Sequence, residues 1–477
     1  MTLTTSASVP SRIDEQLRLR IAEQLAGQFK GEIIGPDHAD YGDARLVWNS
    51  MIDRRPGLIL RCIDTRDVVA AVTVARANGL PPSVRCGGHN VAGKAMSEGG
   101  LTIDLSGLRE VTVDPERKLV HAGGGCLLGN IDAATAPHRL IVPAGIMSET
   151  GVAGLALGGG IGWFSRKYGL TCDNFVSLEL VLASGEVIEV SADSHPELFW
   201  ALRGGGGNFG VVTTMRHRLH NLPSVRSGML IYPSSEAKAV LKSCAEIAAS
   251  TPEDLTVQLG FVAGPDGPPV VLVVPTWCGV PGDGEARVAP FLKLGTLLAG
   301  AMEMTSYGAS LTAFDPYIVD GQRTFMETCW LPALDSGSID VFTEAMTTAV
   351  SPGCAVFTHE FKGAASRVPA EATAFGLRRD HVLVEILATF ADRSDEFEER
   401  QHHQWARATL QAFDAMALPG GYPNLLSGGD SDRATKSYGG NAERLVKAKR
   451  YYDPDNIFRS AIRLPVGAPS SSGGRIF

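Results

Sequence analysis

His89 stands in the run Val84-Arg85-Cys86-Gly87-Gly88-His89-Asn90, directly after two glycines. A glycine pair lets the backbone press against a ligand with no Cβ in the way, and the next side chain then lies against whatever is bound. An imidazole there can act as a nucleophile as well as a hydrogen-bonding group; taken alone, it can equally be a ring satisfied by a neighbouring carbonyl. Two more glycine-rich stretches follow, Gly151-Val-Ala-Gly154-Leu-Ala-Leu-Gly158-Gly159-Gly160-Ile-Gly162 and Arg203-Gly204-Gly205-Gly206-Gly207-Asn208-Phe209-Gly210. Each is bounded by apolar segments. That context favours a long backbone-lined groove for a large phosphorylated cofactor over mere low complexity.

Competing readings of these motifs fail on single residues. Gly88 to Lys94 satisfies most of a P-loop, but Ala95 stands where Ser or Thr must hold magnesium. Gly158-Gly159-Gly160 is followed by aromatic and basic residues rather than by a βαβ unit ending in an acid, so a Rossmann fingerprint is not met. No G-x-S-x-G elbow occurs. The adjacent His402 and His403 sit in a polar helical pattern and read as solvated.

These loops need elements to hold them. Ile13–Gln28 and Asp64–Asn78 carry helical periodicity, the second opening on Asp64 as N-cap and stopping at Gly79-Leu80-Pro81-Pro82. Short strand patterns follow at Ser83–Arg85, Leu101–Asp104, Val111–Asp114, Leu119–Gly123, Phe175–Leu182 and Val187–Ser191. Beyond Val225 the texture changes. Met229–Tyr232, Leu255–Val262, Val270–Trp277, Ala355–Phe361 and Val382–Thr389 read as strands, with helical stretches at Glu236–Ala248, Asp283–Leu294, Ile339–Ala349 and Glu396–Ala415. Strands that do not alternate strictly with helices point to an antiparallel sheet with helices on one face, so the fold class is α+β.

Composition narrows the partners. The chain has 477 residues, 44% apolar and 20% charged, an ordinary soluble balance, and is long enough for more than one core. A net charge of −9 carries no basic footprint for nucleic acid. The eight cysteines show no C-x-x-C spacing, so neither a zinc site nor any other metal centre is expected, and reduced thiols of a cytoplasmic protein are the default. Residues 1–12 read as a disordered start without a secretory signature. Pro465–Gly474 reads as a flexible end. No apolar run approaches the roughly 20 residues of a membrane span.

In order along the chain, several segments together resemble the flavin domain of the vanillyl-alcohol oxidase and p-cresol methylhydroxylase superfamily, in its berberine-bridge-enzyme-like branch. They are Trp48-Asn49 with Arg55-Pro56, the helix Asp64–Asn78, the His89 run and the Gly151–Gly162 loop. Then come Ser165-Arg166-Lys167-Tyr168-Gly169-Leu170 with Asp173-Asn174, Leu198-Phe199-Trp200-Ala201 with Arg203-Gly204-Gly205-Gly206, and the tail Tyr452-Asp453-Pro454-Asp455-Asn456 with Phe458-Arg459. The resemblance implies a two-domain flavin oxidase: an FAD-binding domain of the p-cresol methylhydroxylase (PCMH) type over 1–223, an antiparallel-sheet substrate domain covered by helices over 224–444, and a C-terminal segment, 445–477, returning to the first domain. It implies FAD bound covalently through His89, by attack of the neutral imidazole on the flavin 8α carbon. Arg85, Gly87, Gly88, Asn90, Gly151, Gly154, Gly158, Gly159, Gly160, Gly169, Asp173, Gly210 and Val212 would shape the cofactor site.

Many relatives add a second, cysteinyl link. Registered on the family pattern, Met147 stands at that cysteine's place, and Cys172 reads as a packed free thiol. No second link is therefore expected, which sets the chain nearer to single-histidyl members such as the D-specific hydroxynicotine oxidases. The family's Tyr-x-Asn-Tyr sequence appears as Tyr422-Pro423-Asn424-Leu425, so the last tyrosine, a favoured base, is missing. On the strand ending at Phe361, period-2 alternation sorts Cys354, Val356, Thr358 and Glu360 from Ala355, Phe357, His359 and Phe361. Glu360, just before Gly363-Ala364-Ala365, is the candidate base, with Tyr422 and Asn424 beside it; a solvated strand glutamate is the plain alternative.

The implied activity is an oxidase that moves hydride from a C–H next to oxygen or nitrogen to flavin N5, with O₂ regenerating the flavin and giving peroxide. A small residue at Thr150 favours access for O₂. A dehydrogenase or an oxidative cyclase with another acceptor, and a non-enzymatic binding protein on the same scaffold, are the alternatives. The expected partners are a small-molecule substrate and O₂, without nucleic acid or membrane, in a monomer or homodimer.

Overall fold

Helix starts in this chain are set by acidic and hydroxyl caps. Asp64 accepts from the Asp67 N–H at 2.9 Å and opens Thr65–Ala77; Asp335 caps Ser336–Thr347, and Asp395 caps Glu396–Phe413. The computed structural model describes residues 12–222, 224–264, 267–318, 320–390, 395–426, 431–459 and 464; of the disordered start expected over 1–12, residues 1–11 lie outside them, as does the tail over 465–474. Among the described residues no helix is long and apolar enough to cross a membrane.

Two larger sheets, beside a two-stranded pairing of Leu140–Ile141 with His220–Asn221, build the first part of the chain. One is mixed, in the order Glu32–Ile34, Leu58–Arg61, Leu101–Asp104, Ser83–Arg85, with the last three strands parallel. The other is antiparallel, in the order Val111–Asp114, Leu119–Gly123, Val211–Arg218, Phe175–Val181, Val187–Ser191. Its central strand, Val211–Arg218, was not legible because Thr213, Thr214 and three basic residues break the apolar pattern.

The remaining sheet is eight-stranded. Glu303–Thr305, Val225–Ser227, Pro269–Trp277, Leu255–Ala263, Cys354–Phe361, His381–Phe390 and Arg323–Leu331 follow one another, and Leu230–Pro233 also pairs with Pro269–Trp277. Its pairings are all antiparallel. Alternation assigns its faces. Val257, Leu259, Val356, Val384 and Ile386 pack with Val240, Leu241, Ile339, Phe342 and Phe413 from the covering helices in one core. Burying such a side chain is worth about 1.5–3 kcal/mol, so a one-residue slip, which turns every side chain over, is strongly disfavoured. His359, Leu383, Glu385 and Leu387 occupy the opposite face and line a cavity.

The histidine pair is a correction. His402 is buried, its ring held by the Glu398 carbonyl at 2.8 Å and the Ser351 hydroxyl at 2.7 Å, and the His403 ring packs at a tilt against Phe325. This side of the helix lies against the sheet, where burial overrides a polar sequence. Near the end of the chain, Ala442–Tyr452 packs on Pro196–Leu202. Lys449 there donates to the carbonyls of Asn208 and Phe458, which fastens the glycine-rich turn before Val211 to the last helix.

Candidate active site

The cavity, about 1950 Å³ with its mouth included, is bounded by the His89 run, the loop and helix from Gly145 to Gly158, Gly205–Gly207, the sheet face just described and Tyr422–Leu426. Glycine is required where its walls meet. A Cβ on Gly87 would stand 2.6 Å from the Gly151 nitrogen, so two glycine loops touch backbone to backbone. Gly88 has φ +70°, a conformation costly for other residues. A Cβ on Gly158 would collide with Asn424 Oδ1, whereas Gly154 and Gly207 face open space.

His89 lies in the wall with its ring stacked on Trp48, centroids 4.9 Å apart and planes 7° from parallel. Burial lowers its pKa, so the imidazole is neutral and keeps a lone pair. Among the described residues, no acceptor meets the backbone N–H groups of Gly88, His89 and Asn90. Gly88 is buried and His89 and Asn90 are half-buried, and backbone donors withdrawn from water are nearly always paired, so these three suit the oxygens of a bound anionic group. Open glycine walls and free donors beside a neutral imidazole fit FAD.

Asn90 donates to the Asn424 carbonyl at 3.0 Å. Asn424 donates to the Leu155 carbonyl and to the Tyr422 hydroxyl, both at 2.9 Å. That hydroxyl also accepts from the N–H groups of Gly160 and Ile161. Tyr422 is buried, and desolvation raises its pKa; it stays protonated and can donate into the cavity that it lines.

Of the residues expected at the cofactor, Gly87, Gly88, His89, Asn90, Gly151, Gly154, Gly158, Gly210 and Val212 line the cavity, and Tyr422 and Asn424 join them. Five do not. Arg85 turns to the Ala44 carbonyl. The Gly159 and Gly160 carbonyls accept from Cys172 and Thr171 to form a turn. Asp173 makes a two-toothed pair with Arg378 at 2.7 and 2.8 Å while capping Leu170, beside Gly169. These residues brace the loops from behind. Met147 and Thr150 line the cavity, and Cys172 is buried beside Asp173 with its thiol pushed up by desolvation.

Glu360 is a correction. Its strand face is the one covered by helices. Its carboxylate pairs with Arg166 at 3.1 Å, accepts the Val257 N–H at 2.9 Å and meets Lys362 at 3.1 Å. With its oxygens taken up in the core, it is a structural anchor. Its neighbour His359 faces the cavity instead, Nε2 3.1 Å from Glu385 Oε1. Gln258, on the adjoining strand, approaches the same nitrogen at 3.4 Å, and its Oε1 is buried without a partner among the described residues. Glu385 went unnoticed although the sequence carried a signal: it is the one charge in Val382-Leu383-Val384-Glu385-Ile386-Leu387-Ala388. Cys86 was also missed as a cavity residue; burial pushes its thiol up to about 11.

A glycine-walled cavity, a neutral histidine in its wall and a carboxylate–imidazole pair on a facing sheet define an FAD-linked oxidoreductase. The FAD binding domain family matches residues 56–191 and the berberine and berberine-like family matches 413–462. The FAD-linked oxidoreductase YgaK of Bacillus subtilis is 30% identical over 449 residues, covering 92% of this chain and 97% of its own. The (R)-6-hydroxynicotine oxidase of Paenarthrobacter nicotinovorans is 30% identical, covering 90% and 96%. Among solved structures, 6-hydroxy-D-nicotine oxidase from Arthrobacter nicotinovorans superposes with a TM-score of 0.82 at 28% identity, over 91% of this chain and 98% of that one. Berberine bridge enzyme in complex with (S)-reticuline shares the fold, with a TM-score of 0.83 at 20% identity over 96% of this chain and 100% of that one. The chain belongs to the berberine-bridge-enzyme-like family of FAD-linked oxidoreductases.

Proposed function

We propose that this chain is an FAD-dependent oxidase that carries its flavin covalently on His89 and oxidises a C–H bond next to oxygen or nitrogen in a small, moderately apolar molecule. When bound, the flavin would supply the two-electron acceptor for the substrate's hydride, with O₂ as the final oxidant and H₂O₂ as its product. One observation carries the reading: Glu385 and His359 face the same largely apolar cavity as the neutral imidazole of His89.

Glu385 Oε2 accepts the proton of the substrate O–H or N–H, while Oε1 stays against His359. Tyr422, held protonated, and Asn424 bind and orient rather than deprotonate. A single linkage is supported by Met147 in the cavity wall, by Cys172 outside it and by the protonated thiol of Cys86. The name of the hydroxynicotine oxidase relative supports starting with ring-bearing amines. We assign 1–223 to flavin binding, 224–444 to the substrate side and 445–477 to a returning segment.

The test is anaerobic mixing of the yellow protein with panels of amines, alcohols and sugars, followed by air. Bleaching of the flavin band with peroxide on reoxidation is expected. Bleaching without peroxide would point to a dehydrogenase or oxidative cyclase, and no bleaching with any bound compound to a binding protein.

A further inference from the structure

Trp48 and Asn49 belong to the sequence pattern, yet the proposed chemistry uses neither. The χ2 torsion of a histidine is broad, so the direction of its lone pair must be fixed from outside. Among the described residues no side chain hydrogen-bonds the His89 ring; its hold is a hydrogen bond to its own backbone together with the parallel indole of Trp48. Trp48 is itself tied down on two sides. Its backbone N–H donates to the Gly88 carbonyl at 3.4 Å, and its backbone carbonyl accepts the Gly321 N–H at 3.2 Å. Asn49 completes the bridge, donating to the carbonyls of Val91 at 2.9 Å and Thr324 at 2.8 Å and accepting the Thr324 N–H at 3.1 Å. The indole packs with Val91 and with Met326 and Leu387 of the large sheet.

We propose that Trp48 is a positioning residue for the attachment of flavin to His89, an inference that rests on the covalent linkage proposed above. In that step an imidazole nitrogen bonds the flavin 8α carbon and one methyl C–H bond breaks. The electron pair enters the isoalloxazine, which takes up two hydrogens, one from the methyl group and one from the imidazole N–H; O₂ then reoxidises it and leaves as H₂O₂. The imidazole becomes cationic while its nitrogen is being alkylated. A stacked indole serves twice: it aims the lone pair, and its π face stabilises the developing charge, as cations within about 6 Å of an indole centroid are stabilised.

The test uses protein made in flavin-starved cells and mixed with FAD in air, following acid-precipitable flavin with time and measuring the Kd for FAD separately. Trp48→Leu is expected to slow incorporation about tenfold, and Trp48→Phe to stay within about threefold of wild type, the range set by aromatic stacking. The Kd should change less than about threefold in both. Should the leucine variant not fold, Trp48→Met against Trp48→Tyr makes the same comparison. Equal rates in aromatic and aliphatic variants, or a loss explained by the Kd, would overturn the role of Trp48. Wild-type protein that never acquires acid-stable flavin would overturn the linkage itself and this inference with it.

Discussion

His359 Nε2 and Glu385 Oε1 lie 3.1 Å apart on the cavity face although the two residues are not direct partners: Glu385 pairs with Phe357, and His359 with Leu383. Such diagonal neighbours are in reach of long side chains on one sheet face, and here the two side chains are only 17% and 11% exposed. Glu385→Gln should keep the yellow flavin and slow its anaerobic reduction by substrate about 10²–10⁴-fold, the usual loss for a general base. Stopped-flow bleaching reads this half-reaction alone. A wild-type rate would remove Glu385 from the chemistry.

Glu360→Gln should do the reverse. Flavin reduction stays near wild type, and stability falls on the order of 3 kcal/mol because Arg166 is left buried without its partner. Urea unfolding of the holoprotein measures it; a reduction rate lowered as much as in Glu385→Gln would return Glu360 to the active site.

Thiol mapping separates the cysteines. After denaturation, peptides carrying Cys86 and Cys172 should be alkylated and free of flavin mass, since burial holds both thiols protonated in the folded protein. Flavin mass on either peptide contradicts a single linkage.

Acid should weaken the fold through its buried histidines. Desolvation pushes His217 down to about 3 and His381 down to about 4, below the ordinary value of 6.5. Between those values the unfolded chain binds more protons than the native one, so stability is full above about pH 6.5 and falls as pH drops, by up to about 1.4 kcal/mol per pH unit for each histidine. His217→Phe should flatten the decline in denaturant midpoint between pH 6 and pH 4; an unchanged slope would show that His217 does not contribute.

The cofactor loops were legible because Gly87 and Gly158 are forced by close approach of other chain segments and Gly88 by its φ of +70°, and such constraints leave a mark in residue type. The strand faces were legible as alternation too, since Glu360 and His359 were sorted correctly onto opposite faces. Which face the helices cover depends on packing by Val240, Ile339 and Phe413, distant in sequence, so the carboxylate on the wrong face was chosen. Arg323–Leu331 escaped notice for a related reason. Its cavity-side residues Thr324, Met326 and Thr328 are mostly polar, and pairing with His381–Phe390 rather than its own pattern makes it a strand.

The covalent attachment is tested most directly by the mass of one peptide. Protein precipitated in acid should stay yellow, and the peptide containing His89 should carry the mass of FAD, whereas His89→Ala should bind FAD that acid releases. A colourless wild-type pellet with all the flavin free in the supernatant would contradict the account.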